Sequence, residues 1–271
     1  MEATARSVYY SQRFSQLGRR GRRRPLSAFR RVSRYEKCWR RTNSSLKCVR
    51  CEETRSLAMC AASENALTPV CGSLDIPDSK AYFQRLPGIL GKLPYGTIDA
   101  ATDALHEAYR DDRALFIFGN GGSAALASHN ACDFGKGTCA NGNRRFRVMS
   151  LTDNVPLLTA WANDLGYNHI FAEQLRGFAR PGDIALAISG SGNSPNVLDG
   201  LQSARDLGAK TIGLTGFTGG KMKALCDLCI VVPSSNMQLI EDLHVAVTHS
   251  IFTVLRNRIL SEAEPSSEKL L

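Results

Sequence analysis

The sequence has no run of about 18 consecutive apolar residues, which argues on length against a membrane-spanning helix. Histidine is scarce, five in 271 residues, so any two that share a helical face stand out as candidate chemistry. A secretory signal is lacking and the cysteine count is odd, nine, so reduced thiols in a cytosol-like compartment are expected rather than a disulfide framework. Acidic residues are missing mainly in one place: Met1 to Arg50 hold thirteen Arg and two Lys against Glu2 and Glu36, while the remainder carries 19 basic and 23 acidic side chains. The net charge of +9 therefore belongs to one end of the chain. With 43% hydrophobic residues the rest suits a soluble, cytoplasmic globular protein of one large or two small domains.

Five cysteines (Cys38, Cys48, Cys51, Cys60, Cys71) fall in the first 71 residues. Cys48-x-x-Cys51 is half of a zinc motif with no second half of matching spacing, so structural zinc is not expected there. Cys226-x-x-Cys229 precedes the strand-like CIVVP and reads as a buried structural pair, no helix N-terminus being at hand to lower a thiol pKa. Residues 1–75, exemplified by LGRRGRRRPLSAFRR, read as a basic, disordered extension. Three origins remain open: an organelle transit peptide, a nucleic-acid tail, or a translation start placed upstream of a truer one near Met59. The last is favoured because the segment carries no chemistry the rest needs, and nucleic acid is accordingly not an expected partner.

Residues 78–260 carry the pattern of a folded domain, with 261–271 as a disordered tail. Apolar side chains at helical spacing mark leading helices at 79–89 and 96–110. Strand-like runs follow at 114–118, 146–151, 184–189, 210–214 and 228–232, separated by helical segments near 122–134, 154–162, 168–178, 195–207, 219–225 and 236–260. Strands apolar on both faces, alternating with helices, predict an α/β fold: a doubly wound, five-stranded parallel sheet flanked by helices, a flavodoxin-like three-layer sandwich.

In such a sheet ligands bind beyond the carboxyl ends of the strands. Two turns there are rich in glycine and serine: Gly119-Asn120-Gly121-Gly122-Ser123 and Ser189-Gly190-Ser191-Gly192-Asn193-Ser194, each opening a helix. One such turn alone is as readily a tight bend, but two at equivalent strand ends favour a phosphate held by backbone N–H groups, hydroxyls and helix dipoles without Lys or Arg. Neither fits a nucleotide motif. The first lacks Gly-Lys-Ser/Thr, and Pro195 occupies the third glycine's place in the second. A phosphate monoester on a small molecule is the expected ligand.

His129 and Asp133 lie four apart on the helix after the first turn and share its face, a spacing that suits chelation as well as a core histidine beside a surface aspartate. Glu241, His244 and His249 form a second set on the C-terminal helix.

Taken together, FGNGGSAALASH, SLTDNVPLLTAWANDLGYNHIF, AISGSGNSPNV, GLTGFTGGK and MQLIEDLHVAVTHSI resemble the sugar isomerase (SIS) domain proteins, most closely the bacterial phosphoheptose isomerases. The resemblance covers about 80–260. It implies a SIS domain acting on a phosphosugar, with sedoheptulose 7-phosphate to a heptose 7-phosphate as the expected reaction. It also implies a homotetramer with shared active sites and a zinc ion at His129, Asp133, Glu241 and His249. Two family ligands differ here, Asp133 for Glu and Glu241 for Gln. Asp133 is implied as catalytic base and His249 as acid. Substrate contacts are expected at Asn120, Gly121, Gly122, Ser123, Asn163, Asp164, Ser189, Gly190, Ser191, Ser194 and Glu241. His169 and Gln238 stand where the heptose enzymes carry acids. A non-catalytic phosphosugar- or partner-binding member of the same fold is the alternative. Glu241 and His249 are separated by about 12 Å along one continuous helix, too far for one metal. Either the helix must start after Glu241 or the ligands must come from different chains.

Overall fold

The computed structural model describes residues 76–139 and 144–263, together with two short antiparallel strands, β1 (Trp39–Thr42) and β2 (Ser45–Cys48). What the sequence suggests for the rest of the basic extension, and for 264–271, lies outside the described residues.

Two helices lead, α1 (Ser79–Leu90) and α2 (Tyr95–Arg110). Asp78 caps α1 by accepting the Ala81 N–H at 2.8 Å, which satisfies one of the N–H groups a helix start leaves unpaired. The strands β3 (Ala114–Gly119), β4 (Arg147–Ser150), β5 (Ile184–Ser189), β6 (Lys210–Thr215) and β7 (Leu228–Val231) form one parallel sheet in the order β4-β3-β5-β6-β7. Strand periodicity of two divides the core into two layers. Leu115, Ile117, Ile184, Leu186 and Ile188 pack on one face with Leu105 and Leu243; Phe116, Phe118, Ala185 and Ala187 pack on the other with Phe171, Leu175 and Leu201. The doubly wound five-stranded sheet is thus the one the sequence predicts.

The connecting helices are α3 (Gly122–Gly137), α4 (Val155–Asp164), α5 (Ala172–Phe178), α6 (Pro195–Asp206), α7 (Met222–Leu225) and α8 (Met237–Ala263). Three differ from expectation. The helix expected over 168–178 is a 3-10 turn at Tyr167–His169 followed by the shorter α5. That expected over 219–225 shrinks to α7, because Gly219 and Gly220 take φ of +93° and +56°, outside the helical region. The last helix runs on to Ala263, past the expected boundary at 260, and is continuous through Glu241, so it does not start after that residue.

Chain order reverses between β3 and β5, which are direct neighbours. Both glycine-rich turns leave the carboxyl ends of these two strands, and a crevice for a ligand opens at such a reversal.

Candidate functional site

Close backbone approaches shape the two turns. A Cβ at Gly119 would lie 2.5 Å from the Ile188 carbonyl oxygen and 2.7 Å from Ser123 Cβ, so glycine alone lets β3 run past the end of β5 into α3. Gly192, at φ +65°, has the Gly219 carbonyl oxygen where a Cβ would stand. The N-termini of α3 and α6 both start at these turns without a side-chain cap from Gly121 or Ser194. Two positive dipole ends therefore face one crevice.

The turns are fastened to each other by a reciprocal amide pair. Asn120 Nδ2 donates to Asn196 Oδ1 and Asn196 Nδ2 donates to Asn120 Oδ1, both at 2.8 Å. The Tyr167 hydroxyl adds a third bond, donating to Asn120 Oδ1 at 2.9 Å. The 3-10 turn that carries Tyr167 is itself held to α6 by His169 Nδ1 and Asp199 Oδ2, 2.9 Å apart.

Between the turns is a cavity of about 160 Å³ lined by Asn120 and Ser123 from the first, Ser189, Gly190, Ser191 and Ser194 from the second, and Met237 and Glu241 from α8. Among the described residues no Lys or Arg lines it, so an anion there would rest on N–H groups and hydroxyls. A second cavity of about 200 Å³ shares Ser123 and Glu241 and continues between α3 and α8 past Gly122, Leu126 and His244. Both helices run away from the crevice in that direction.

Further along the same helices His129, Asp133 and His249 converge, their ligating atoms all within 4.8 Å of one another. The two imidazole Nε2 atoms are 2.8 Å apart, and Asp133 Oδ2 lies 3.3 Å from that of His129 and 3.7 Å from that of His249. His129 and His249 are about half exposed and Asp133 about a quarter, so the cluster is open to a ligand. Two imidazoles and a carboxylate match the donor set of zinc sites that keep a position free.

Within one chain the fourth expected ligand, Glu241, does not join them. Glu241 lies eight residues before His249 on the unbroken α8, about 12 Å away along its axis, and lines the crevice instead. Of the expected substrate contacts, Asn120, Ser123, Ser189, Gly190, Ser191, Ser194 and Glu241 share the first cavity and Gly122 borders the second; Gly121 borders neither. Asn163 and Asp164 end α4, exposed and hydrogen-bonded to each other at 2.9 Å, and also border neither.

Two residues of the site, Asn196 and Tyr167, escape the sequence reading, and a third, His244, is read there only as one of a set on the C-terminal helix. Asn196 sits in the first turn of α6, and Tyr167 carries no local signal. His244 is 1% exposed, and its Nε2 has no hydrogen-bond partner. Burial pushes its pKa down to about 4, against the opposing effect of a backbone hydrogen bond to Thr215, so it is neutral at pH 7.

The SIS domain profile matches residues 83–216. The chain is 45% identical over 164 residues to the phosphoheptose isomerase of Rhodospirillum rubrum, spanning 60% of this chain and 87% of that protein. It is 40% identical over 162 residues to that of Aliarcobacter butzleri, spanning 60% and 85%. Among solved structures, phosphoheptose isomerase GmhA from Neisseria gonorrhoeae superposes with a TM-score of 0.61 at 29% identity, over 66% of this chain and 96% of that one.

Proposed function

The chain belongs to the SIS-domain family of the phosphoheptose isomerases, and from that premise we propose that it interconverts sedoheptulose 7-phosphate and a heptose 7-phosphate through an enediol. One observation supports the reading: the crevice and the His129-Asp133-His249 cluster lie along the same two helices, α3 and α8. His129 is six residues beyond Ser123, and His249 eight beyond Glu241, so crevice and cluster are roughly 9–12 Å apart. A long-chain sugar phosphate spans that gap, whereas a triose phosphate does not.

The phosphate rests on the N-termini of α3 and α6 and on the hydroxyls of Ser123, Ser189, Ser191 and Ser194. Asn120 and Asn196 hold the two turns at a fixed separation. At the far end the Asp133 carboxylate removes the proton from the carbon next to the carbonyl, and His249 passes a proton between the two oxygens as the enediol forms and collapses. Returning the carbon-bound proton to the neighbouring carbon completes the isomerisation. His129, Asp133 and His249 would hold zinc, which supplies a Lewis acid for the carbonyl oxygen. Asp133 is one methylene shorter than the family's Glu, and the approach of both imidazoles to its Oδ2 supports its reach.

The same reading includes a homotetramer in the cytoplasm. Val245 and Val254 leave apolar side chains exposed along α8 for a second copy to cover. Glu241, Asn163 and Asp164 would then complete the site of a neighbouring subunit. The free thiols of Cys132, Cys139, Cys226 and Cys229 suit a reducing compartment, and among the described residues no helix is long and apolar enough to cross a membrane.

Purified protein incubated with zinc and sedoheptulose 7-phosphate should form aldose phosphate, and His249→Ala should not. Retained sugar-phosphate binding with no turnover by the wild type would instead mark a non-catalytic phosphosugar-binding protein.

A further inference from the structure

The motif Cys226-x-x-Cys229 takes no part in the site described above, yet its two sulfurs meet over the sheet. A Cβ at Gly213, in the middle of β6, would lie 2.5 Å from Cys226 Sγ and 3.4 Å from Cys229 Sγ, so both sulfurs occupy the space a side chain would fill. They are also hydrogen-bonded to each other: the Cys226 thiol donates to Cys229, which raises the Cys226 pKa and lowers that of Cys229, and Lys223 adds to the second effect. Both residues are partly exposed. The turn that holds them is pinned on each side. Leu225 O accepts from Arg205 Nη1 at 2.9 Å and from Thr211 Oγ1 at 3.2 Å, and Asp227 Oδ2 accepts the Thr211 N–H at 2.7 Å.

Cys226 directly follows α7, a helix of only four residues, and the other end of α7 grips the second phosphate turn. The Met222 N–H donates to Gly192 O and the Lys221 N–H donates to Asn193 Oδ1, both at 3.0 Å. One turn of helix therefore links the thiol pair to the crevice.

We propose that Cys226 and Cys229 form a vicinal-dithiol modification site, oxidised reversibly by a low-molecular-weight disulfide, and that closing this bond loosens the second phosphate turn. The Cys229 thiolate attacks one sulfur of the oxidant RSSR and releases RS⁻. Cys226 gives up its proton and attacks the Cys229 sulfur, expelling the second RS⁻. Two protein thiols lose two electrons and two protons, and the oxidant leaves as two RSH. Drawing Cys226 towards β7 pulls on α7 and displaces the N–H groups of Lys221 and Met222 from Asn193 and Gly192. The dithiol chemistry stands alone, while its effect on sugar binding rests on the function proposed above.

The test treats reduced full-length protein with glutathione disulfide. Peptide mass mapping should find a Cys226–Cys229 cross-link that dithiothreitol reverses, and Cys226→Ser should instead trap a mixed disulfide on Cys229. Calorimetry should show the Kd for sedoheptulose 7-phosphate rising about two- to tenfold on oxidation, the worth of one hydrogen bond, with no change in the Cys226→Ser, Cys229→Ser double variant. Absence of the cross-link in the wild type overturns the site, and an unchanged Kd after its formation overturns the coupling. The same comparison with inorganic phosphate, which needs only the crevice, decides the coupling even for a protein that turns over no sugar.

Discussion

The glycine-rich crevice and the His129-Asp133-His249 cluster are built in opposite ways along the same pair of helices. The crevice is built from backbone and short side chains at the switch point of the sheet, and its recognition is fixed when the fold forms. The cluster consists of three partly exposed side chains that meet only because α3 and α8 pack together. Damage to the crevice should therefore cost stability and binding together, whereas damage to the cluster should cost chemistry alone.

The strongest break comes at the cluster. Asp133→Asn should lower kcat by about 10²- to 10⁴-fold, the usual worth of a general base, while steady-state kinetics show KM little changed. The unfolding free energy from urea titration should stay within about 0.5 kcal/mol of wild type, because the site is open to solvent. At the crevice, Gly192→Ala forces a side chain into left-handed backbone against the Gly219 carbonyl, and should lower unfolding free energy by roughly 3 kcal/mol. Sugar-phosphate affinity should fall with it, which calorimetry on the folded fraction would read.

These contrasts also mark what the sequence made legible. The strands were readable because apolar runs on both faces have few other fates, and the two turns because glycine and serine at strand ends leave a local signature. The cluster needed tertiary contact. His129 and Asp133 could be paired by helical spacing, and of the two arrangements the sequence left open for Glu241 the unbroken α8 removes one, a helix start after that residue, since it sets Glu241 about 12 Å from His249 within the chain. The Asn120–Asn196 pair joins positions 76 residues apart in sequence, and no local pattern announces it. The split of the helix expected over 168–178 was hidden as well, because apolar spacing continues across the 3-10 turn.

His244 sharpens the comparison through pH. Its folded pKa of about 4 lies below the unfolded value near 6.5, so the unfolded chain binds a proton that the folded one refuses. This contribution to stability is complete above about pH 6.5 and is lost as pH falls towards 4, amounting to about 3 kcal/mol for a residue this buried. Urea titrations at pH 7 and pH 4.5 should show the loss, and His244→Gln should flatten it. A smaller effect is expected at the amide pair. Asn196→Ala leaves Asn120 Nδ2 without its acceptor and should cost about 1–3 kcal/mol in sugar-phosphate affinity, seen as a raised KM with kcat nearly kept.

The central claim is that one ligand spans both regions, its phosphate in the crevice and its reacting carbons at the cluster. Isomerisation in D₂O tests this most directly, with sedoheptulose 7-phosphate as substrate and NMR as readout. The account predicts deuterium at C2 of the aldose product, or at C1 of ketose returned to solution, with wild-type protein and zinc, and none with Asp133→Asn although the sugar phosphate still binds. Tight binding by the wild type with no deuterium at either carbon would contradict it.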